Sequence, residues 1–373
     1  MMIPTEPIGS IPRPPELIAA IRGGLAAREL APLLEDAVRA TVLAFEATGA
    51  PVISDGEQGK LENFWCYPVH GAANTAPDGF RIPVRDNPDS SSGGSHRMPR
   101  LTRGPFRYGS YADQYLRAAR RHATRPVKQA IISPSALSLM YPPDGLPDYP
   151  REQFLDDLLR EHETEIRRCL EAGAHKVQID FAEGPLAMRL DPSGALLASF
   201  VHLNNMALAR FSAAERALIG LHVSAAGIRP TGVRPPGGRP PGAAESADSQ
   251  VDYADLLPAL FEIRAGSFYI AMAGQPDPER VLRIARDYAR PDQRVFVGVT
   301  DPLDPRVESA EQVRDRVLTA ARYLDPARLG TTDDAGFAPF FDDDSVSRVT
   351  AFAKVRARVE GTRLACALLE GGA

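Results

Sequence analysis

The chain has 373 residues, of which 43 are basic and 48 are acidic, giving a net charge of −5. Its 44% hydrophobic content excludes extensive disorder, and the mildly acidic balance excludes a general attraction to nucleic acid or to an anionic membrane. The three cysteines are widely spaced, which argues against a zinc ribbon or a disulfide scaffold. The first residues do not resemble a signal peptide and no run of 18 apolar residues occurs, so we expect a cytoplasmic protein.

Short β-rich runs alternate with amphipathic helical stretches along the chain. Several of the runs are continuously apolar, which is typical of parallel strands covered on both faces. We expect eight strands, at residues 5–10, 52–55, 127–132, 176–180, 217–222, 267–270, 295–299 and 328–331. Helices are expected at 33–48, at 154–172 and from 307, with Ser309 as the N-cap of the last one. The alternation predicts a (β/α)8 TIM barrel; a doubly wound sheet is the alternative, weakened by the lack of a GxGxxG motif.

Two segments have the composition of long loops. Residues 71–104, after the second strand, are polar and rich in turn residues. Residues 227–249, after the fifth strand, repeat Pro-Pro-Gly and contain few apolar residues, so we expect this loop to be flexible and to act as a lid. Neither segment separates halves of different composition, so we interpret 1–373 as a single domain with two insertions.

Polar residues follow most of the predicted strands, at the end where a barrel carries its chemistry. Crowded carboxylates raise one another's pKa, which suits acid–base catalysis or the binding of an ammonium group. A single carboxylate at such a place could equally cap the next helix, but Asp55, Glu57 and Asp180 together favour function. The residues at the strand ends are Ser10, Asp55, Glu57, Ser133, Asp180, Glu183, His222, Ser224, Asp301, Asp333 and Asp334.

Two further residues each have two interpretations. His222 follows an apolar run and is expected to point into the barrel mouth, where it is either a ligand or base, or a hydrogen-bonded structural residue. Trp65 lies in an aromatic cluster just beyond Glu57, where it either stacks against a planar ligand or anchors a packed loop.

Four of the strand ends resemble motifs of the cobalamin-independent methionine synthase family. Residues 8–14 (IGSIPRP) resemble its first-strand motif, 54–57 (SDGE) its second, 177–180 (VQID) its fourth and 221–223 (LHV) its fifth. The likeness covers nearly the whole chain and is closest to the short single-barrel relatives of the family's C-terminal catalytic domain. It implies a TIM barrel and a 5-methyltetrahydropteroyltriglutamate–homocysteine methyltransferase-like enzyme, which moves a methyl group from methyltetrahydrofolate to the homocysteine thiol.

The resemblance also implies a zinc ion that binds the substrate thiol as a thiolate. The family holds this ion by a His-x-Cys pair after strand five, a Glu after strand six and a Cys after strand eight. His222 matches the histidine, but the other three positions hold Ser224, Ala271 and Ala335. Because a soft four-ligand site needs the thiolates, we expect the zinc site to be lost.

The amino-acid pocket that the resemblance implies is present. In the family, the residues matched by Ser10, Glu57 and Asp180 hold the carboxylate and ammonium groups of the amino acid. We therefore expect Glu57, Asp180 and His222 to be catalytic. The expected substrate contacts, beyond Ser10, Glu57 and Asp180, are Trp65, Ser133, Glu183 and Asp301.

Three hypotheses follow for the function. The first is a methyl or alkyl transferase that acts on an amino-acid-like or other small substrate without zinc, with a methyltetrahydrofolate as the candidate donor. The second is a metal-free lyase, isomerase or hydrolase that reuses the pocket, and the third is a non-catalytic ligand-binding protein. We expect a small-molecule substrate and no nucleic-acid or membrane partner, and a homodimer is compatible with the sequence.

Overall fold

The computed structural model describes residues 2–61, 64–79, 97–223 and 252–371. The strands in these ranges are β1 (Ile53–Ser54), β2 (Thr75–Ala76), β3 (Arg100–Leu101), β4 (Val127–Ile132), β5 (Val177–Phe181), β6 (Ile219–Val223), β7 (Ser267–Ile270), β8 (Arg294–Thr300) and β9 (Leu329–Asp333). The helices are α1 (Pro15–Arg22), α2 (Ala27–Ala47), α3 (Asp113–Arg120), α4 (Pro134–Ser138), α5 (Arg151–Glu171), α6 (Gly184–Leu190), α7 (Ala195–Leu208), α8 (Ala213–Ala217), α9 (Tyr253–Leu260), α10 (Pro278–Tyr288), α11 (Ala310–Ala320) and α12 (Arg348–Gly371). In these ranges no helix is both long enough and apolar enough to cross a membrane.

Seven of the described strands form one parallel sheet, in the order β1-β4-β5-β6-β7-β8-β9. Consecutive strands of this sheet are joined by helical segments, so the chain has an α/β fold. The residues of β4, β5, β6, β7 and β9 are all buried, as expected of parallel strands covered on both faces. The carboxyl ends of the strands therefore gather at one edge, where the predicted site residues lie.

The first predicted strand differs from the prediction. Residues 5–10 make a single parallel bridge, from Thr5 to Thr331 of β9, and do not form a strand. Pro4 and Pro7 have no N–H to donate, which interrupts the hydrogen-bond ladder. On the other side of this segment, the hydroxyl of Ser54 in β1 donates to the carbonyl of Gly9 at 2.7 Å. The sheet is thus curled, with both of its edge strands touching the same segment.

The interior of the curled sheet is filled by side chains. The rings of Tyr269 and Phe296 stack with centroids 4.7 Å apart and cluster with Ile8. A Cβ atom at Gly220 would lie 2.5 Å from the Tyr269 ring, and one at Gly330 would lie 2.3 Å from the Phe296 ring. Each ring therefore needs a glycine on a neighbouring strand, and the interior is a packed core beneath the strand ends.

The helices and loops follow the sequence closely, with two differences. Ser309 caps α11 as predicted, in a capping box with Gln312, and the helix expected at 154–172 is α5. The helix expected at 33–48 begins earlier, at Ala27. The segment 71–104 is not loop throughout, because it contains the antiparallel pair β2 and β3. Residues 80–96 of that segment, and all of 227–249, lie outside the described residues.

Candidate active site

The turn after β1 directs Glu57 back toward the sheet. Glu57 has a left-handed backbone, with φ of +57°, and its N–H donates to Asp55 Oδ1 at 3.1 Å. The buried guanidinium of Arg13 stabilises this turn by donating hydrogen bonds to four backbone carbonyls. These carbonyls belong to Glu57, Gln58, Lys60 and Phe340.

Charges crowd around the Glu57 side chain. Burial raises the pKa of Glu57 to about 7; the ammonium of Lys60 opposes this shift and the carboxylates of Asp180 and Asp55 add to it. Lys60 Nζ lies 3.5 Å from Glu57 Oε2 and donates to the carbonyl of Ala130 at 2.9 Å. Burial also raises the pKa of Asp55. The turn therefore presents a carboxyl group that changes its charge near neutral pH.

Asp180 and His222 face each other on neighbouring strands. They are register partners in β5 and β6, and His222 Nδ1 lies 3.0 Å from Asp180 Oδ1. Asp180 Oδ1 also accepts a hydrogen bond from Gln178 Nε2 at 2.7 Å. His222 Nε2 is buried, and no described residue gives it a hydrogen-bond partner. The predicted orientation of His222 toward the strand ends agrees with this contact.

Ser10 lies where the first segment meets the loop after β9. Its hydroxyl oxygen accepts a hydrogen bond from the N–H of Ala338 at 3.2 Å, and its carbonyl accepts one from Phe337 at 3.0 Å. A Cβ atom at Gly336 would lie 2.1 Å from the Ser10 hydroxyl oxygen, so this loop packs directly on Ser10. The Ser10 hydroxyl oxygen accepts this hydrogen bond and keeps its own hydrogen, which can be donated to a ligand.

Glu183 and Ser133 form a second polar group at the ends of β4 and β5. The hydroxyls of Ser133 (2.6 Å) and Ser135 both donate to Glu183 Oε1, and Asn204 Nδ2 donates to the Ser135 hydroxyl at 2.6 Å. Burial raises the pKa of Glu183 to about 7, against the two serine hydrogen bonds that lower it. Sequence reasoning did not single out Asn204, which lies in α7.

Asp334 joins the loops after β7 and β9. Its carboxylate accepts the backbone N–H groups of Met272 (2.8 Å), Ala273 (3.0 Å) and Gly274 (2.6 Å). Burial raises the pKa of Asp334 to about 7, opposed by these three hydrogen bonds and assisted by the charge of Asp301. Asp301 is thus close to this cross-link, at the end of β8.

Trp65 lies in the main hydrophobic core. Its side chain is 2% exposed and makes an edge-to-face contact with Phe64, at a centroid distance of 5.7 Å. This position matches the loop-anchor interpretation, and ligand stacking by Trp65 stays a prediction.

The residues at the implied zinc site do not fit a zinc ion. The alanine side chains at 271 and 335 have no donor atom, whereas His222 keeps Nε2 available while Nδ1 faces Asp180. The fourth position, Ser224, lies outside the described residues. In the described ranges, no group of three or more His, Cys, Asp or Glu side chains is placed to hold a metal. Among the described positions of the implied site, His222 supplies the one side-chain donor, whereas a zinc site takes three or four.

The main residues that sequence reasoning missed are Lys60, Lys128 and Gln178. All three are buried, and the first two are charged. Lys60 and Lys128 could have been noticed, because a lysine beside a buried strand needs a partner. Lys128 and Gln178 pair with residues far away in the sequence, which no local pattern indicates, whereas Lys60 lies beside Glu57, three residues before it.

The fold is shared with solved methyltransferases. A B12-independent methionine synthase from Shewanella sp. W3-18-1, in complex with selenomethionine, matches with a TM-score of 0.70 and 17% identity over 100% of both chains. A protein described as a vitamin-B12-independent methionine synthase, from Listeria monocytogenes, gives a TM-score of 0.61 and 18% identity over 97% of this chain and 98% of that one. A methyltransferase from Methanosarcina mazei matches with a TM-score of 0.52 and 13% identity, over 97% of this chain and 94% of that one.

The sequence comparisons are negative. No protein-family model matches the chain, and no curated protein sequence matches it. The identities to the solved structures, 13–18%, are those of distant relatives that share a fold. The expected resemblance to cobalamin-independent methionine synthases is therefore confirmed at the level of the fold, over the whole length of the chain.

Proposed function

We propose that the chain is a methionine-synthase-like methyl or alkyl transferase that acts on an amino-acid-like small molecule without the family's zinc. The proposal treats the curled sheet together with residues 5–10 as a (β/α)8-type barrel whose strand ends hold the substrate. The shared fold supports it, and one protein with that fold is solved with selenomethionine, which is an amino acid. A methyltetrahydrofolate remains the candidate donor, and Trp65, Ser133, Glu183 and Asp301 remain candidate contacts.

The observation that carries the proposal is the buried pair of carboxyl groups of Glu57 and Asp180. Both groups are buried, and the charge of Asp180 adds to the raised pKa of Glu57 although Lys60 Nζ lies 3.5 Å from Glu57 Oε2. A substrate ammonium between them would stabilise the charged form of both. The hydroxyl of Ser10, with its hydrogen free to donate, would bind the substrate carboxylate.

Isothermal titration calorimetry with matched compounds tests this pocket. L-Methionine is expected to bind, whereas 4-(methylthio)butanoate, which lacks the amine, and 3-(methylthio)propylamine, which lacks the carboxylate, are expected to bind more weakly. Each missing group leaves a buried polar side chain without its partner. Equal affinity for L-methionine and for the compound without the amine would exclude the pocket.

The affinity for an amino acid is expected to depend on pH near neutrality. An ammonium ligand binds best when Glu57 is ionised, and the pKa of Glu57 is about 7 in the free protein. The affinity should therefore rise from pH 6 to pH 8, because Glu57 loses its proton over this range. Binding at pH 7 should release a proton, because the ammonium favours the ionised form of Glu57. Titrations in two buffers of different ionisation enthalpy measure that proton. Proton uptake would contradict the assignment.

Zinc analysis and a methylation assay test the loss of the metal. The protein purified without chelator is expected to hold less than stoichiometric zinc. Without a metal, the thiol of homocysteine keeps a pKa of about 8.5 and is mostly protonated at neutral pH, so its methylation from methyltetrahydrofolate should be slow or absent. A variant that combines Ser224→Cys, Ala271→Glu and Ala335→Cys restores the expected ligands and should gain zinc. Zinc bound stoichiometrically by the unaltered chain would contradict this part of the proposal.

The second candidate is a metal-free lyase, isomerase or hydrolase with His222 as the general base. It is favoured by the pairing of His222 Nδ1 with Asp180, which is the arrangement of an oriented base, and by the buried Nε2. A third possibility, a binding protein without activity, predicts amino-acid binding without turnover. Mass spectrometry of amino acids incubated with the protein alone separates the second candidate from the other two, and the same assay with an added methyl donor separates the transferase from the binding protein.

A further inference from the structure

The hydrogen bonds of Gln178 determine which way its amide faces. Gln178 lies in β5 and is fully buried. Its Nε2 lies 3.0 Å from the carbonyl oxygen of Ile8, an atom that can only accept, so this end of the amide is the NH2 group. The amide oxygen then faces the Lys128 ammonium at 2.7 Å. The second N–H of Gln178 is therefore the one that reaches Asp180 Oδ1 at 2.7 Å.

The orientation of Gln178 defines the hydrogen bonds of Asp180 and His222. Asp180 Oδ1 accepts from Gln178 and lies 3.0 Å from His222 Nδ1. A carboxylate oxygen accepts, so Nδ1 carries the hydrogen and the neutral imidazole has its lone pair at Nε2. Nε2 is buried without a hydrogen-bond partner among the described residues.

We propose that Gln178 is a positioning residue: it fixes the Asp180 carboxylate, holds His222 as the Nδ1–H tautomer, and so presents Nε2 as an acceptor for a hydroxyl of the substrate. The substrate half of this inference rests on the proposed function. A buried acceptor without a partner costs free energy, and a substrate that donates to it removes this cost. The substrate class is therefore an amino acid whose side chain ends in a hydroxyl group, which is a stronger donor than a thiol.

The tautomer of His222 is measured by ¹⁵N NMR of histidine-labelled protein at slightly alkaline pH with a chelator present. The wild-type chain is expected to show a non-protonated Nε2, with its signal assigned by its loss in His222→Gln. In Gln178→Met the Asp180 carboxylate can rotate, and a mixture of tautomers is expected. Gln293→Met is the matched control, because Gln293 is a buried glutamine that donates to the Ile263 carbonyl at 3.0 Å, beside the start of β8.

The outcomes of the NMR experiment are decisive without any assay. A protonated Nε2 in the wild-type chain would overturn the inference, and so would an unchanged tautomer in Gln178→Met. A shift that occurs equally in Gln293→Met would show a general effect of losing a buried amide, and would also overturn the role of Gln178.

The acceptor role of Nε2 is tested with two amino acids of equal size, L-homoserine and L-norvaline, which differ by a hydroxyl in place of a methyl group. The wild-type chain is expected to bind L-homoserine about tenfold more tightly, the ratio that one hydrogen bond to a buried group gives. This ratio should fall toward one in Gln178→Met and persist in Gln293→Met. Equal binding of both compounds by the wild type would overturn the inference and leave the proposed function standing. If neither compound nor any amino acid binds, the proposed function fails, and the NMR result alone judges the role of Gln178.

Discussion

Replacing Glu57 with glutamine is expected to weaken amino-acid binding by about 1.5–3 kcal/mol, or roughly 10- to 150-fold, the contribution of a hydrogen bond to a charged group. The substitution keeps the size of the side chain and removes the charge that faces the ammonium. It should also abolish the rise in affinity between pH 6 and pH 8, because the pKa of Glu57, about 7, is its cause. Calorimetry with L-methionine measures both effects.

Glu161→Gln is the matched control for this substitution. Glu161 is another buried glutamate, but it lies in α5 and accepts a hydrogen bond from the Tyr111 hydroxyl at 2.5 Å. Its variant is expected to bind the amino acid within about twofold of the wild type. If the wild type and Glu57→Gln bind every amino acid tested with equal affinity, Glu57 does not contact the ligand.

Replacing Glu6 with glutamine is expected to lower the free energy of unfolding by about 3–5 kcal/mol, the usual cost of leaving buried charges without their partner. The Glu6 carboxylate accepts hydrogen bonds from Lys176 Nζ at 3.0 Å and the Tyr269 hydroxyl at 2.5 Å, and Lys128 Nζ lies 3.7 Å away. Lys128 also lies over the Tyr269 ring, 3.8 Å from its centroid. The variant leaves these cations inside the curled sheet without an anion.

The pH dependence of stability provides a second readout for Glu6. Burial raises the pKa of Glu6, but the hydrogen bond from His175 and the charges of Lys128 and Lys176 outweigh it, so the pKa is well below its usual range. A carboxylate with a depressed pKa stabilises the fold above its unfolded pKa, and this stabilisation is lost as the pH falls toward the folded value. The wild type should therefore exceed the variant in free energy of unfolding by the whole expected amount at pH 7. This difference should become smaller below about pH 4, the unfolded pKa of glutamate.

Urea unfolding followed by circular dichroism measures this difference. Glu35→Gln is the control, because Glu35 also pairs with two basic side chains, Arg121 and His122, but is 40% exposed. Its loss should change stability by about 0–1 kcal/mol. If Glu6→Gln and Glu35→Gln have equal free energies of unfolding, the contacts of Glu6 with Lys176, Tyr269 and Lys128 do not stabilise the fold.

The sequence by itself determined the order and the type of the seven parallel strands. The strand at 127–132 was predicted to the residue, and all six of its residues are buried, as expected of a parallel strand covered on both faces. The capping of α11 by Ser309 is a local interaction between residues three apart, so the sequence determines it directly. His222, Asp180 and Glu57 were expected at the strand ends, since the fold brings the carboxyl ends of parallel strands to one edge.

Only the tertiary structure decided how the polar residues pair. Glu6 pairs with Lys176 and Lys128, which are more than a hundred residues away in the sequence. Asp334 accepts hydrogen bonds from backbone N–H groups of the loop after β7. The exchange of a first strand for a single bridge, from Thr5 to Thr331, likewise depended on how the first segment meets β9. The physical reason is that a buried charge or amide is stable only beside a hydrogen-bonding or charged partner. Strand register and the curl of the sheet determine which residue is that partner, and no local sequence pattern specifies either of them.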